Sequence, residues 1–206
     1  MIPASTALDR LKSGNRKFVA RAQGNVPVAE AARDLALPQQ QDPIAIILGC
    51  SDARVPAEIV FDQGPGDLFV IRVAGNIVAP SQLGSIEFAA LNFGTRLVVV
   101  LGHTLCGAVK ATMSAIRNPD EESSRSLRTI VGFIRPAVEN LFADDTSRDE
   151  DELYREAVRA NVAASVRDVK RNSEILTRMI AEDGLRVVGA EYSLATGEVE
   201  FFENDE

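Results

Sequence analysis

The stretch LGCSDARVP, residues 48–56, places a cysteine directly after an apolar run and follows it with an aspartate and an arginine. A second stretch, GHTLCGAVK at 102–110, holds the only histidine, His103, and the only other cysteine, Cys106. Two thiolates and one imidazole make a donor set suited to zinc, and three protein donors rather than four leave a position for water or substrate. That is the open arrangement of a catalytic site. Asp52 and Arg54 fit the same picture. An aspartate beside the open position can accept a hydrogen bond from zinc-bound hydroxide, while the arginine keeps the carboxylate ionised and turned away from the metal. Taken singly each feature is ordinary: a buried Cys is usually a small hydrophobe, and an exposed Asp/Arg pair is worth less than about 1 kcal/mol. Their coincidence carries the reading, because every Cys and His of the chain follows a strand-like run. The glycines of GHTLCG have the spacing of a phosphate loop, but Ala108 and Val109 stand where Lys and Ser/Thr would be needed, which excludes a nucleotide site.

The elements that must bring these residues together are legible as apolar runs. IAIILG (44–49) and LVVVLG (97–102) read as parallel strands covered on both faces, with DLFVIRVAG (67–75) and LRVVGAEYSL (185–194) as two more. Helical segments fall at 81–93, 106–117 and 149–183, the last divided at Ser173 as a new N-cap and stopped at Gly184. Alternating strands and helices predict an α/β fold: a mostly parallel central sheet of about four parallel strands flanked by helices. GEVEFFE (197–203) follows too short a connection for a crossover and is expected to add a C-terminal antiparallel edge strand. If the strands at 44–49 and 97–102 are neighbours, Cys50, His103 and Cys106 converge at their carboxyl ends, where ligands collect in open α/β sheets.

Residues 5–21 form an amphipathic helix with Leu8, Leu11 and Phe18 on one stripe, to be covered by the protein's own sheet or by a partner subunit. The acidic run 144–152 reads as a solvated loop and the first turn of a helix, with Ser147 and Glu150 spaced as a capping box. No linker divides the 206 residues, so one domain spans 1–206, with an N-terminal helical arm over 1–40 and an α/β core over 41–206. A net charge of −8 with no cluster of Lys and Arg argues against nucleic acid. The apolar runs are far short of the roughly 20 residues that span a bilayer, so no membrane partner is expected. No leader is recognisable, and the cytoplasm is the expected compartment.

At these residues the chain resembles the β-class carbonic anhydrases, whose C-x-D-x-R and H-x-x-C signatures appear as CSDAR (50–54) and HTLC (103–106). The resemblance extends through FDQGPGDLFVIRVAGN (61–76), GSIEFAALNFG (84–94) and GHTLCGA (102–108). It implies one Zn2+ per subunit on Cys50, His103 and Cys106, with Asp52 and Arg54 as a catalytic dyad. The implied reaction is reversible hydration of CO2 to bicarbonate and a proton. Gln41 falls where one subgroup has a substrate-binding glutamine, and Phe69, Ala74, Phe88 and Gly107 fall at substrate-binding wall positions. A homodimer or homotetramer is implied too, its N-terminal helix embracing a neighbour and its active sites near the interface. One departure stands out. Members inhibited by a second bicarbonate have tryptophan and tyrosine at positions held here by Ile47 and Phe88; of that trio only Arg72 is present, which implies an open site without the inhibitory pocket. Two alternatives share the motif: a hydrolase of the same fold acting on carbonyl sulfide or carbon disulfide, and a non-enzymatic scaffold with structural zinc whose fourth ligand could only be Asp52.

Two thiolates should make such a zinc a weaker Lewis acid than one held by three imidazoles, whose bound water has a pKa of about 7. CO2 hydration, followed by stopped-flow, is therefore expected to accelerate through mildly alkaline pH; a rate flat from about pH 6 to 9 would contradict this.

Overall fold

The continuous apolar runs become the fully buried centre of a five-stranded sheet with order β2-β1-β3-β4-β5. The structure, a computed structural model, describes residues 2–24, 38–120, 123–142 and 149–202. Strands β1 (Ala45–Gly49), β2 (Leu68–Arg72), β3 (Leu97–His103) and β4 (Arg186–Tyr192) pair in parallel, and β5 (Val199–Phe202) closes the edge antiparallel to β4. This is the predicted α/β architecture. Parallel strands covered on both faces need apolar side chains in both directions, and alternate residues divide accordingly. Ala45, Ile47, Val99, Leu101, Val188 and Ala190 face one apolar layer, while Ile46, Leu48, Val98, Val100 and Val187 face the other.

β1 pairs with β2 on one side and β3 on the other, with Gly49 opposite Leu101. The strand order therefore reverses at β1, and the chain leaves β1 and β3 side by side, which is where ligands bind in this class of sheet.

Helix α1 (Ala4–Ala22) lays Ala4, Ala7, Leu8 and Leu11 on the sheet of its own chain, in the layer that contains Ile47, Val99 and Leu101. Of the two covers the sequence allows for this stripe, the protein's own sheet is the one seen. Asn15 fastens it, donating from Nδ2 to the carbonyls of Val60 (3.1 Å) and Gly197 (2.9 Å) and accepting from the Val199 N–H (2.9 Å). One buried amide thus ties α1 to helix α2 (Ala57–Val60) and to the β4–β5 hairpin. The opposite face is covered by α3 (Pro80–Asn92), α6 (Glu150–Arg171) and α7 (Glu174–Glu182). Ser173 caps α7 by accepting from the Leu176 N–H at 3.1 Å, and Gly184 follows it with φ of 70°, as the sequence indicated.

Helix α4 (Gly107–Arg117) was expected, whereas α5 (Arg125–Val138) was not. Its signal is present: Ser124 as N-cap, then Leu127, Ile130, Val131, Ile134 and Val138 at helical spacing. Pro136 in its last turn and its position after an acidic stretch conceal it. Strand β2 ends at Arg72, earlier than the expected 75, because the chain turns through a 3-10 turn at Ala74–Asn76 with Gly75 and Asn76 at φ of 73° and 45°. Residues 25–37 of the expected N-terminal arm, and Ser147 of the expected capping box, lie outside the described residues. Among the described residues no helix is long and apolar enough to cross a membrane.

A β-carbon on Gly14 would stand 1.8 Å from the Phe61 carbonyl oxygen, so α1 can approach only where residue 14 lacks a side chain. Gly14→Ala is expected to destabilise the protein by about 1–3 kcal/mol in urea unfolding. Gly132→Ala, on an open helical surface with nothing within 4 Å, should stabilise it by roughly 0.5–1 kcal/mol. Equal shifts of one sign would contradict the packing described.

Candidate metal centre

Cys50 is the first residue after β1, His103 is the last of β3, and Cys106 is the N-cap of α4. The adjacency of β1 and β3 brings them together: one ligand atom from each lies within 4.8 Å of the other two. The three residues are 6%, 0% and 1% exposed, respectively. The connecting turn is fixed from β4, with the Thr104 N–H donating to the Tyr192 carbonyl and the Leu194 N–H donating to Thr104 Oγ1, each at 3.0 Å. Leu105 completes the turn with φ of 56°, a left-handed conformation that a leucine adopts only when its surroundings hold it there.

His103 Nδ1 lies 2.8 Å from the Thr104 carbonyl, an acceptor, so Nδ1 carries the proton and Nε2 presents its lone pair. That Nε2 is buried and has no hydrogen-bond partner. A lone pair left bare inside the protein beside two sulfurs fits a soft or borderline cation. The sulfurs agree with this. The hydrogen bond from Cys106 pulls the Cys50 pKa down to about 4 against the effect of burial, with help from His103 and the Gly75 N–H. Its partner Cys106 is pushed up by that same hydrogen bond and by burial. A divalent cation bound between the sulfurs would hold both as thiolates and release their protons. Burial works to lower the His103 pKa, but the neighbouring Cys50 sulfur, the Thr104 carbonyl and the Asp52 charge outweigh it and leave the value raised.

Asp52 is gripped at both oxygens. The Arg54 backbone N–H and Nε donate to Oδ1 at 2.9 and 3.0 Å, and Nη2 donates to Oδ2 at 2.8 Å. This guanidinium holds the carboxyl well below the usual carboxylate range. Asp52 Oδ2 lies 4.0 Å from His103 Nε2. Two N/O ligands of one tetrahedral zinc would be about 3.3 Å apart. The group whose ligand atoms all lie within 4.8 Å of one another is Cys50, His103 and Cys106, and the carboxylate, held at both oxygens by Arg54, is outside it. Arg72 holds the same turn from beneath, donating through Nε to the Cys50 carbonyl at 2.9 Å and through Nη2 to the Asp52 carbonyl.

The five wall candidates divide. Ala74 adjoins Gly75, whose N–H donates to Cys50 Sγ at 3.4 Å. Gly107 adjoins Cys106, and a β-carbon there would meet nothing within 4 Å. Phe69, Phe88 and Gln41 are elsewhere. Phe69 is opposite Ile46 in the sheet, four residues short of Cys50, or about 13 Å along the strand. Phe69, Phe88 and Phe93 form an aromatic cluster with ring centroids 5.7–6.2 Å apart. Gln41 precedes β1 and lies beside Gly66, at the amino end of the sheet. Within one chain these three lie away from the ligands: strand direction carries Gln41 and Phe69 toward the amino end of the sheet, and Phe88 packs against Phe69.

Sequence reasoning also missed three donors on α6. Tyr154 Oη donates to the Cys106 carbonyl at 2.7 Å, Asn161 Nδ2 to the Gly75 carbonyl at 2.8 Å, and Ser165 Oγ to the Asn76 carbonyl at 3.1 Å. Burial pushes the Tyr154 hydroxyl up to about 12, so it remains a donor. The available signal was Asn161 and Ser165 lying among Ala157, Val158, Val162 and Val169 on the buried face of the helix.

A mostly parallel sheet presenting two buried thiols, an imidazole nitrogen without a hydrogen-bond partner and an arginine-held carboxylate at its switch point defines an α/β protein with a site that could hold a metal ion. Comparison with known proteins sharpens that class. The family profile described as carbonic anhydrase matches residues 45–199. The chain is 41% identical over 190 residues to a carbonic anhydrase of Mycolicibacterium smegmatis, covering 92% of this chain and 89% of that one. It is 39% identical over 187 residues to carbonic anhydrase 2 of Mycobacterium tuberculosis, covering 91% and 87%. Among solved structures it superimposes on a tetrameric β-carbonic anhydrase of Sordaria macrospora with a TM-score of 0.71 and 27% identity, covering 93% of this chain and 94% of that one. The chain belongs to the carbonic anhydrase family, in its β class.

Proposed function

We propose that the protein catalyses the reversible hydration of CO2 to bicarbonate and a proton, using one Zn2+ per chain held by Cys50, His103 and Cys106. The observation that supports it most directly is the bare, buried His103 Nε2 facing two sulfurs beside a carboxylate that Arg54 holds aside. Bound there, zinc would supply the Lewis acidity that makes water a nucleophile near neutral pH.

The residues of the chain do the rest. Asp52, ionised and fixed by Arg54, accepts a hydrogen bond from the attacking water and so directs a lone pair toward the carbon of CO2. Ala74 and Gly107 leave room for a small uncharged substrate beside the sulfurs. His103 is engaged as a ligand and is the only histidine, so the product proton leaves through buffer or a path of carboxylates and water. Arg72 is spent on the Cys50 and Asp52 carbonyls, and Ile47 is buried in β1. Both observations support a site without the inhibitory bicarbonate pocket. Because both cysteines are needed as thiolates, a reducing compartment such as the cytoplasm suits the protein.

The working form in this reading is a homodimer or homotetramer, as in the tetrameric Sordaria relatives. β2 is an edge strand, and Phe88 and Leu91 on α3, which packs beside it, are 50% and 55% exposed. A second copy covering this edge would bury them, and would explain how Gln41, Phe69 and Phe88 serve as wall residues, contributed to a neighbour's site.

Stopped-flow CO2 hydration on protein of known zinc content tests the activity, with carbonyl sulfide turnover measured in parallel; faster turnover of the sulfide would overturn the substrate assignment. Cys106→Ser should lose zinc, whereas Asp52→Ala should keep it and lose about 100-fold or more in rate. Equal zinc loss in both variants would undo the division of roles. For the assembly, Phe88→Asp combined with Leu91→Asp should lower the mass measured by light scattering, and an unchanged mass would place the interface elsewhere.

A further inference from the structure

Tyr154, Asn161 and Ser165 follow one another on α6 at intervals of seven and four residues. At about 100° per residue this puts all three within about 40° of one another around the helix axis. Asn161 and Ser165 are 2% and 4% exposed, and each donates to a main-chain carbonyl of the 3-10 turn at Ala74–Asn76. Tyr154 donates to the carbonyl of Cys106 itself, which also accepts the first helical bond of α4 from the Lys110 N–H.

The 3-10 turn is more than a connector. Gly75 and Asn76 are consecutive left-handed residues, and a β-carbon on Gly75 would stand 2.7 Å from Ile134 Cδ1 and 3.1 Å from Ala108 Cβ. Wedged between α4 and α5, the Gly75 peptide aims its N–H at Cys50 Sγ, while Asn161 holds its carbonyl from the other side. Two segments far apart in sequence, one bearing Cys106 and the other donating an N–H to the Cys50 sulfur, are therefore braced by the same face of the same helix. An N–H bond to a thiolate also draws charge from it, which bears on how strongly that sulfur donates to a metal.

We propose that Tyr154 and Asn161 are positioning residues of the zinc centre: Tyr154 fixes the main chain at Cys106, and Asn161 fixes the Gly75 N–H that bonds to Cys50. The inference rests on the reading that the trio binds zinc, and extends it to residues that touch neither metal nor substrate.

The test uses the full chain and compares Tyr154→Phe and Asn161→Ala with Ser173→Ala, which removes the N-cap of α7 far from the site. Two quantities are read: the zinc dissociation constant by chelator competition, and the absorption spectrum of the cobalt(II)-substituted protein, which reports thiolate donation. Loss of an outer partner of a metal ligand weakens binding about 10- to 100-fold. Tyr154→Phe and Asn161→Ala are expected to weaken zinc binding by that order and to shift the cobalt spectrum. Ser173→Ala should lower the melting temperature with affinity and spectrum unchanged. The proposal is overturned if both site variants keep wild-type affinity and spectrum and differ only in melting temperature. Should Asn161→Ala not fold, Tyr154→Phe, which keeps the ring and removes only the hydroxyl, decides alone. A wild-type protein that takes up no stoichiometric zinc overturns the metal reading itself; tight wild-type zinc with unaltered variants overturns the positioning role only.

Discussion

Everything in this molecule is arranged around the difficulty of burying two sulfurs and an imidazole nitrogen in one place. Their ligand atoms lie within 4.8 Å of one another, and His103 Nε2 is buried without a hydrogen-bond partner. Unpaired polar groups inside a protein are costly, so such a cluster persists only if the surrounding fold is strong enough to hold it or a ligand completes it. The fold meets the first condition. β1 and β3, the two strands with every residue buried, deliver Cys50 and His103, and the helix dipole at the start of α4 favours negative charge on Cys106.

The same constraint explains the two arginines next to the site. An aspartate beside a vacant metal position is a potential fourth ligand, and a closed tetrahedral centre would be inert. Arg54 occupies both Asp52 oxygens, and Arg72 anchors the carbonyls of the turn that carries them. Neither arginine reaches the donor trio. Each acts by limiting where the carboxylate can go.

How far the sequence revealed this depended on the kind of signal. The strands were legible because a strand buried on both faces reads as an unbroken apolar run, and the ligands because Cys and His are so scarce that their positions stand out. Once β1 and β3 were taken as neighbours, the centre followed. Helix α5 was obscured by Pro136, a residue that is tolerated in its last turn. Tyr154, Asn161 and Ser165 were invisible for a different reason: they donate to main-chain carbonyls, and a carbonyl leaves no trace in residue identity. Gln41, Phe69 and Phe88 lie away from the ligands of their own chain, because the direction of β1 and β2 carries Gln41 and Phe69 to the far end of the sheet and Phe88, on α3, packs against Phe69.

Helix α6 has a double duty that follows from its place between the sheet and the centre. Val162 and Val169 seal one face of the sheet, and Asn161 and Ser165, on neighbouring positions, grip the turn behind Cys50. Evolution of its 22 residues is therefore doubly restricted. Changes selected for a firmer interior would alter reactivity as a by-product, and adjustments of reactivity would be filtered by whether the chain still folds.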